Sequence, residues 1–564
     1  MAAAAGASGA LAQPYPDVAR TSQYVPVRDG TRLAVNIYRP ARGSAAVDAP
    51  LPVIFVFTPY RARFKDEQGK VSETALNDQL ALRSLIRAGY VVAVADIRGK
   101  GASFGSRRGF QDRTEANDGH DLIQWLAKQS FADGNVGMLG CSYLGGTTLH
   151  TASTAPSALK AIFVGATDID KYAFVRNGGI TAQFNTRPDE APAVDLASIP
   201  VDGDADGSQL KAAVAQHDFN TPMAPLWYGM PYRDSVSKLT GNAFWQEAGP
   251  YPYLDAIRKS GIATYFWGNW LDEPTSQVIL EAANLNGKFL AGAGSHCVTP
   301  AGFDFAGEVT RYFDHYLKGV QNGIERAPRA TYWVEGLNGK GDYVRSNQLP
   351  GMSSMRRAWY LAGGTSGTAK SANDGTLAAN PVATGSDKFT VNYDLPPADY
   401  FAFWPKPMDE KGLSYTSQAL DKPLKLIGYP VIHLGMKADR PDADVFAYLE
   451  QVAADGTAEV IAFGRLKLSH RKTAKAPYNV LGMPWHSGLS EDVAPLPVGN
   501  QAMLDFALTP ISRVIPTGSR LRVTVAGADP RQRNLQDIKQ TPPPVLTVLR
   551  GGRTGSRIDL PVAP

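Results

Sequence analysis

Residues 135–146 read NVGMLGCSYLGG, and this stretch decides the fold. The apolar run Val136–Leu139 is typical of a buried strand, and a helix is predicted from Leu144 to Ala155. A strand that passes through a tight turn into a helix is the context of a nucleophile elbow, which holds a serine hydroxyl clear of the sheet. Ser142, at the turn, is therefore the candidate nucleophile. The alternative is a serine that only fits the turn.

Two glycines accompany this serine. Gly140 stands two residues before it, where a strained turn leaves no room for a Cβ atom. The second glycine, Gly145, comes three residues after it, whereas the generic motif has it at two. The local motif alone is therefore weak evidence, and the elements around it carry the prediction.

Strands and helices alternate on both sides of the elbow. Continuous apolar runs, which suit strands buried on both faces, occur at 53–57, 91–95, 136–139, 161–164, 263–266 and 289–291. Helices are predicted at 77–88, 115–128, 144–155 and 276–285, and a hairpin that turns at Asp29-Gly30 is predicted over 24–38. This alternation predicts the α/β class, with the doubly wound sheet of an α/β-hydrolase.

A chain of 564 residues is too long for one core, and its pattern changes divide it. Residues 1–20 are expected to be a leader remnant or disordered tail, 21–166 and 251–330 the catalytic domain, and 167–250 a helical cap. From 331 to 564 the helical period is lost. Strands are predicted there at 431–434, 445–452, 460–468 and 521–525, with a loop at 363–385, which indicates a jelly-roll or other β-sandwich.

An acid and a histidine follow the two strands after the predicted cap. Asp272 comes after the strand at 263–266, and His296 comes after the strand at 289–291. Acid and then histidine is the order of an α/β-hydrolase triad, and the ends of parallel strands meet at one edge of the sheet. Ser142 would attack a carbonyl, His296 would carry its proton, and Asp272 would orient the imidazole. Asp272, which precedes Glu273-Pro274, also suits a helix N-cap.

Several longer segments carry a resemblance to a known family. They are 58–60 (TPY), 96–105 (DIRGKGASFG), 133–137 (DGNVG), 140–145 (GCSYLG), 270–272 (WLD), 294–296 (GSH) and 313–319 (FDHYLKG). Together they resemble the CocE/NonD hydrolases, the superfamily of cocaine esterase, X-prolyl dipeptidyl aminopeptidase and α-amino acid ester hydrolase. The resemblance runs from about Tyr24 to the C-terminus, and the family pattern accounts for the glycine at 145.

The resemblance implies further roles and domains. An oxyanion hole would be formed by the Tyr143 N–H and the Tyr60 hydroxyl, although Tyr60 also suits simple packing. A helical cap after the nucleophile and a C-terminal jelly-roll are implied as well. Trp267, Trp270 and Glu273, which flank Asp272, are candidate pocket residues, with core packing equally open for the two tryptophans.

Three enzyme functions fit this scaffold. An esterase or acylase for an apolar acyl group ranks first, and an α-amino acid ester hydrolase second, because the carboxylates that would hold a substrate ammonium are incomplete. An X-prolyl dipeptidyl peptidase ranks third. The non-enzyme alternative is a carbohydrate- or partner-binding protein with a vestigial triad, which a fluorophosphonate probe would distinguish.

Composition limits the remaining possibilities. A formal charge of +4 without a long basic run gives no indication of nucleic acid, and no apolar run approaches the ~20 residues of a membrane span. No metal or cofactor motif is present, so the expected partner is a small ester or amide, and oligomeric state is not indicated. Cys141 and Cys297 are expected as reduced buried thiols, with a disulfide as the alternative. The Ala-rich start resembles the end of a secretory leader, which predicts a periplasmic or secreted enzyme, with the cytoplasm as the alternative.

Overall fold

The computed structural model describes residues 15–77, 80–181, 189–337, 340–352, 354–399, 402–532, 534–553 and 555–564. Residues 1–14 of the expected leader remnant lie outside the described residues, and Asp17 already opens the first strand. Within the described ranges, no helix has both the length and the apolar character needed to cross a bilayer.

The first part of the chain forms a mixed sheet. Its strands, with two short separate hairpins, are β1 (Asp17–Pro26), β2 (Arg32–Arg42), β3 (Ala45–Ala46), β4 (Leu51–Thr58), β5 (Arg63–Lys65), β6 (Val71–Glu73), β7 (Val91–Asp96), β8 (Ala132–Cys141), β9 (Leu159–Gly165), β10 (Arg176–Asn177), β11 (Ile180–Thr181), β12 (Ala263–Asn269), β13 (Lys288–Gly292), β14 (Ala330–Glu335) and β15 (Gly341–Ser346). The order is β1-β2-β7-β4-β8-β9-β12-β13-β14-β15, parallel from β7 to β14 and antiparallel at both ends.

Helices cover both faces of this sheet. They and the helices of the other domains are α1 (Leu82–Arg87), α2 (Arg113–Leu126), α3 (Tyr143–Ala152), α4 (Lys171–Val175), α5 (Ser208–Gln216), α6 (Met223–Tyr228), α7 (Phe244–Ala248), α8 (Leu254–Ser260), α9 (Thr275–Leu285), α10 (Phe305–Lys318) and α11 (Leu535–Ile538). In β4, Val53 and Phe55 face a core shared with α2, α3 and α9, whereas Ile54 and Val56 face the core of α1 and α10. Burial on both faces explains why these strands are continuously apolar.

The predicted hairpin and parallel strands are found, and three of the four predicted helices are found, with small shifts at their ends. Of the helix predicted at 77–88, residues 82–87 are helical, and 78–79 lie outside the described residues. Two other expectations were wrong. The sheet was expected to end at 330, yet β14 pairs in parallel with β13, and β15 extends it to residue 346. Long-range parallel pairing leaves no local signal that separates these strands from those of a β-sandwich. The loop expected at 363–385 contains a strand, Asn373–Ala378, that pairs with its neighbours.

Between β9 and β12 lie α4 to α7, the short β10–β11 hairpin and 3₁₀ turns at Pro192–Ala197 and His217–Phe219. Their core is aromatic. Trp227 and Trp245 stack with ring centroids 5.2 Å apart, and Phe244 packs edge-on against both. This segment lies within residues 167–250, for which a helical cap is predicted, and it is called the cap below.

The C-terminal part is all-β apart from α11 and short turns. Its strands are β16 (Met355–Ala362), β17 (Asn373–Ala378), β18 (Gly385–Thr390), β19 (Leu413–Ser417), β20 (Leu424–Gly428), β21 (Val431–Ala438), β22 (Asp444–Val452), β23 (Ala458–Lys467), β24 (Ala502–Ala507), β25 (Ile511–Ile515), β26 (Arg520–Ala526), β27 (Val545–Arg550) and β28 (Arg557–Val562). One run pairs as β17-β19-β26-β22-β23, and another as β18-β27-β21-β24. Apolar side chains of both runs share one core. The jelly-roll connectivity stays a prediction.

Candidate active site

Ser142 lies at the sharp turn between β8 and α3. Its backbone has φ 61° and ψ −128°, a region that residues with a side chain rarely adopt. Such a conformation costs of order 1–3 kcal/mol and persists only where the surroundings impose it. Here the Ser142 N–H donates to the Gly165 carbonyl of β9 at 3.0 Å, which fixes the turn at the carboxyl edge of the sheet.

The two glycines of the elbow are required by space. A Cβ atom on Gly140 would lie 2.4 Å from the backbone of Leu144, at the start of α3. A Cβ atom on Gly145 would lie 2.4 Å from the carbonyl oxygen of Gly165. The glycine at +3 is therefore the one at which α3 approaches β9.

The imidazole of His296 is hydrogen-bonded to the carboxylate of Asp272. The Nδ1 atom lies 3.0 and 2.9 Å from the two Asp272 carboxylate oxygens, and the aspartate is buried. Burial alone would lower the pKa of His296, but the charge and hydrogen bond of Asp272 outweigh it and leave the pKa above its ordinary value. A carboxylate on Nδ1 leaves Nε2 as the atom that can exchange a proton with a nucleophile.

The loop that carries His296 is held at two places. The buried Asn269 amide at the end of β12 donates to the carbonyls of Ser295 and Val298, at 2.7 and 2.8 Å, and so brackets the histidine. The next residue, Cys297, forms a disulfide with Cys141, the residue before the nucleophile. The expectation of two reduced thiols was therefore wrong.

Tyr60 and Tyr143, the two predicted oxyanion donors, lie together beside Ser142. Their rings meet edge to face with centroids 6.3 Å apart, and both line the same cavity as Ser142. Tyr143 opens α3, where the first N–H groups have no acceptor within the helix. Its own hydroxyl donates to Glu115 at 2.7 Å, and burial raises the pKa of that carboxyl to about 8.

The loop of Tyr60 is supported by Asp96. The buried carboxylate accepts the Ala62 N–H at 2.6 Å and the Ala102 N–H at 3.0 Å, and burial raises its pKa to about 7. Arg98, two residues after Asp96, pairs with Asp118 on α2 at 2.5 Å.

Ser142 and His296 open into a cavity of about 470 Å³, a size typical of small-molecule sites. Its wall is largely aromatic and apolar, and it is drawn from the catalytic domain, the cap and the β domain: Pro59, Tyr60, Phe110, Tyr143, Phe174, Met223, Trp227 and Phe403. The Phe403 ring lies against the imidazole of His296, with centroids 4.8 Å apart. The cavity therefore combines a candidate nucleophile and base with a largely aromatic binding pocket.

The carboxylates that line this cavity already form ion pairs with lysine or arginine side chains of the chain. Asp168 pairs with Lys171 at 2.7 Å, and both side chains are buried. Asp189 pairs with Arg107 at 3.1 Å, and Glu190 pairs with Lys100 at 3.3 Å. Each negative charge at the wall is therefore matched by a cation of the chain.

Comparison with known proteins matches both halves of the chain. The model of the X-Pro dipeptidyl-peptidase (S15 family) matches residues 29–297, and that of the X-Pro dipeptidyl-peptidase C-terminal non-catalytic domain matches 322–543. The chain is 26% identical to the cocaine esterase of a Rhodococcus species, over 80% of this chain and 83% of that one. It is 27% identical to a Mycobacterium tuberculosis protein named as a candidate serine esterase, over 97% of this chain and 96% of the relative.

Solved structures share the whole fold. A CocE/NonD family hydrolase from Staphylococcus aureus superposes with a TM-score of 0.74 at 18% identity, over 96% of this chain and 93% of that one. An α-amino acid ester hydrolase superposes with a TM-score of 0.70 at 18% identity, over 98% of each chain. The chain belongs to the CocE/NonD hydrolase family. It is a serine hydrolase with an α/β-hydrolase domain and a separate C-terminal all-β domain.

The three pocket residues expected beside the acid do not line the active-site cavity of this CocE/NonD hydrolase. Trp267 is buried in the core of the sheet, where it covers Gly165 and packs on Phe305. Trp270 donates its indole N–H to the Trp333 carbonyl, away from the cavity. The Glu273 carboxylate is bound by a β-domain arginine, Arg465, at 2.7 Å.

Apart from Ser142, His296, Tyr60 and Tyr143, the residues that line the cavity were not predicted as site residues from the sequence. Most belong to the cap or to the loop after β7, and Phe403 comes from the β domain. Cap residues such as Met223 and Trp227 follow no motif, and their aromatic or apolar character is the only signal that they carry. Asn269, which ends β12, follows the general rule that functional side chains occur at the carboxyl ends of parallel strands.

Proposed function

We propose that this hydrolase cleaves carboxylic esters with an uncharged, apolar or aromatic acyl group through an acyl-enzyme on Ser142. The observation that carries the proposal is the shared cavity. Ser142, on its elbow, and His296, bonded to Asp272, open into one aromatic-walled space. Substrate amides of the same shape are the second reaction that this chemistry allows.

The proposed mechanism assigns Ser142, His296 and Asp272 the roles of nucleophile, base and orienting acid. His296 Nε2 takes the Ser142 proton as the hydroxyl oxygen attacks the substrate carbonyl, and Asp272 stabilises the imidazolium that forms. The imidazolium then gives the proton to the leaving alcohol. Water repeats the sequence on the acyl-enzyme, with His296 again as base, and frees the acid and Ser142.

The negative charge that develops on the carbonyl oxygen needs donors. We assign the Tyr143 N–H and the Tyr60 hydroxyl to this role, because both residues flank Ser142 at the cavity wall. One such donor contributes about 2.7–4 kcal/mol to the transition state. The edge-on Phe110 ring and the hydrogen bond to Glu115 hold Tyr143 in place.

The charges at the wall favour a neutral acyl group over an α-amino acyl group. A substrate ammonium in a dry pocket needs an ionised carboxylate whose charge is not already balanced by a cationic side chain. Asp168 already accepts Lys171, and Glu273 accepts Arg465 outside the cavity. Ester hydrolysis of α-amino acids and X-prolyl dipeptide cleavage, which both require such a carboxylate, therefore rank below ester hydrolysis of uncharged acids.

An exported location is part of the proposal. The disulfide between Cys141 and Cys297 fits an oxidising compartment, since cytoplasmic reductants keep most protein thiols reduced. Fractionation of cells that produce the protein tests this directly. Enzyme confined to the cytoplasm would contradict it.

A matched substrate panel tests the function. We expect turnover of p-nitrophenyl butanoate and benzoate that exceeds that of aminoacyl p-nitroanilides and of glycyl-prolyl p-nitroanilide. Faster release from the dipeptide anilide than from every ester would identify a peptidase and contradict the proposal.

A further inference from the structure

The two cysteines of the chain are the sequence neighbours of the candidate nucleophile and base, and they form a disulfide. Cys141 ends β8 directly before Ser142, and Cys297 directly follows His296. The two lie 156 positions apart in sequence. The bond therefore ties the end of β8 to the loop that carries His296, and no other covalent link joins these two segments.

The hydrogen bonds of Asn269 connect the loop of His296 to a different part of the sheet. Asn269 connects Ser295 and Val298 to the end of β12, which is also the strand that leads to Asp272. Hydrogen bonds of backbone N–H groups 270 and 271 to carbonyls 292 and 294 connect the same two segments. These contacts fix His296 relative to its acid, whereas the disulfide fixes it relative to the nucleophile.

We propose that the Cys141–Cys297 disulfide is a positioning element that sets the distance between the Ser142 hydroxyl and His296, so that its reduction slows acyl transfer. This inference rests on the proposed function of Ser142 and His296. The loop from 293 to 304 contains no helix or strand, so it depends on such ties for its position. A displacement of about 1 Å in a reacting group can cost about 10²-fold in rate.

A soluble reductant should reach the bond from the side of Cys297, because Cys141 is buried. Cys297 is half-buried, and its neighbour Val298 is 48% exposed. Dithiothreitol would transfer two electrons and two protons to the bond, giving the thiols of Cys141 and Cys297, and would itself close to a cyclic disulfide. Because the chain has only 2 cysteines, this bond is the single target of the reductant.

The experiment compares the oxidised and reduced full-length enzyme. Thiols are counted per chain while kcat and KM for p-nitrophenyl butanoate, the rate of fluorophosphonate labelling and the near-ultraviolet circular dichroism are measured. As two thiols appear, kcat and the labelling rate should fall together by about 10- to 100-fold, with a smaller change in KM and a retained dichroism spectrum. Removal of the reductant and reoxidation should restore the rate.

A disulfide-free variant provides the matched control. Cys141→Ala/Cys297→Ala should turn over at the rate of the reduced enzyme and show no response to dithiothreitol. The midpoint of its acid limb in the pH–rate profile should equal that of the oxidised enzyme, because Asp272 and Asn269 still hold His296. Asn269→Ala, which loosens the loop from the acid's strand, should lower both kcat and that midpoint.

Two results would overturn the positioning role. One is an unchanged kcat in enzyme with two titrated thiols or in the double variant. The other is loss of the dichroism spectrum in parallel with activity, which would make the bond a general brace of the fold. Oxidised enzyme that neither turns over esters nor labels at Ser142 would instead contradict the proposed function.

Discussion

Lys171→Met should open the active site to esters of α-amino acids. The Lys171 ammonium donates to Asp168 at 2.7 Å and to Gln111 at 2.6 Å, and both carboxylate and ammonium are buried. The second Asp168 oxygen, Oδ1, has no hydrogen-bond partner among the residues that the structure describes. Removing the cation therefore leaves a buried carboxylate at the cavity wall that an ammonium of the substrate can approach.

The size of the effect follows from the burial of the pair. Removal of one partner of a buried ion pair costs about 3–5 kcal/mol, so Lys171→Met should unfold at a lower temperature. A substrate ammonium that recovers about 1.4–2.8 kcal/mol of this would raise the relative kcat/KM by about 10- to 100-fold. The double variant Lys171→Met/Asp168→Asn should regain stability and lose the new preference, because neither charge remains.

Two substrates that differ only in the ammonium provide the assay. The ratio of kcat/KM for the p-nitrophenyl esters of 2-aminobutanoic and butanoic acid is measured in wild type, the two variants and Lys211→Met. Lys211 is an exposed lysine of α5, so its variant should keep the wild-type ratio. A wild-type enzyme that already prefers the amino ester, or a folded Lys171→Met enzyme with an unchanged ratio, would refute the reasoning.

Three further predictions concern the catalytic groups. His296 must be neutral to act as base, and its pKa is raised, so activity should be present at alkaline pH and fall as the pH drops through a midpoint above 6.5. In the same pH–rate assay, Asp272→Asn should move that midpoint down and lower kcat by about 10⁴-fold. Tyr60→Phe should lower kcat for p-nitrophenyl butanoate by about 10²- to 10³-fold through loss of one oxyanion donor, and an unchanged kcat would assign that role elsewhere. Gly145→Ala should abolish turnover and lower the melting temperature, because its Cβ would meet the Gly165 carbonyl at 2.4 Å, whereas Gly203→Ala, with open space around its Cβ, should retain both.

The order of elements along the chain was enough to predict the sheet and the candidate triad. Ser142, Asp272 and His296 each follow a strand that is apolar on both faces, and parallel strands bring their ends to one edge. Tyr60 was found through the family resemblance alone, because a tyrosine after a strand has no distinctive local pattern.

Contacts between distant segments could not be predicted in the same way. Trp267 stands five residues before Asp272, but its ring packs against Gly165 in the core of the sheet. Proximity in sequence to Asp272 therefore wrongly predicted that it lines the active-site cavity. Glu273 forms an ion pair with Arg465, and the ring of Phe403 packs against His296. Arg465 and Phe403 both belong to the β domain. The disulfide likewise depends on how the end of β8 and the loop of His296 approach each other, and neither segment determines this by itself.

The central claim is that the hydroxyl at position 142 is the nucleophile and that His296 activates it. Peptide mass mapping after reaction with a fluorophosphonate tests this most directly. We expect a single phosphonylated residue, Ser142, no label in Ser142→Ala, and much slower labelling of a folded His296→Ala. Label on a different serine, or ester turnover that persists in Ser142→Ala, would contradict the claim.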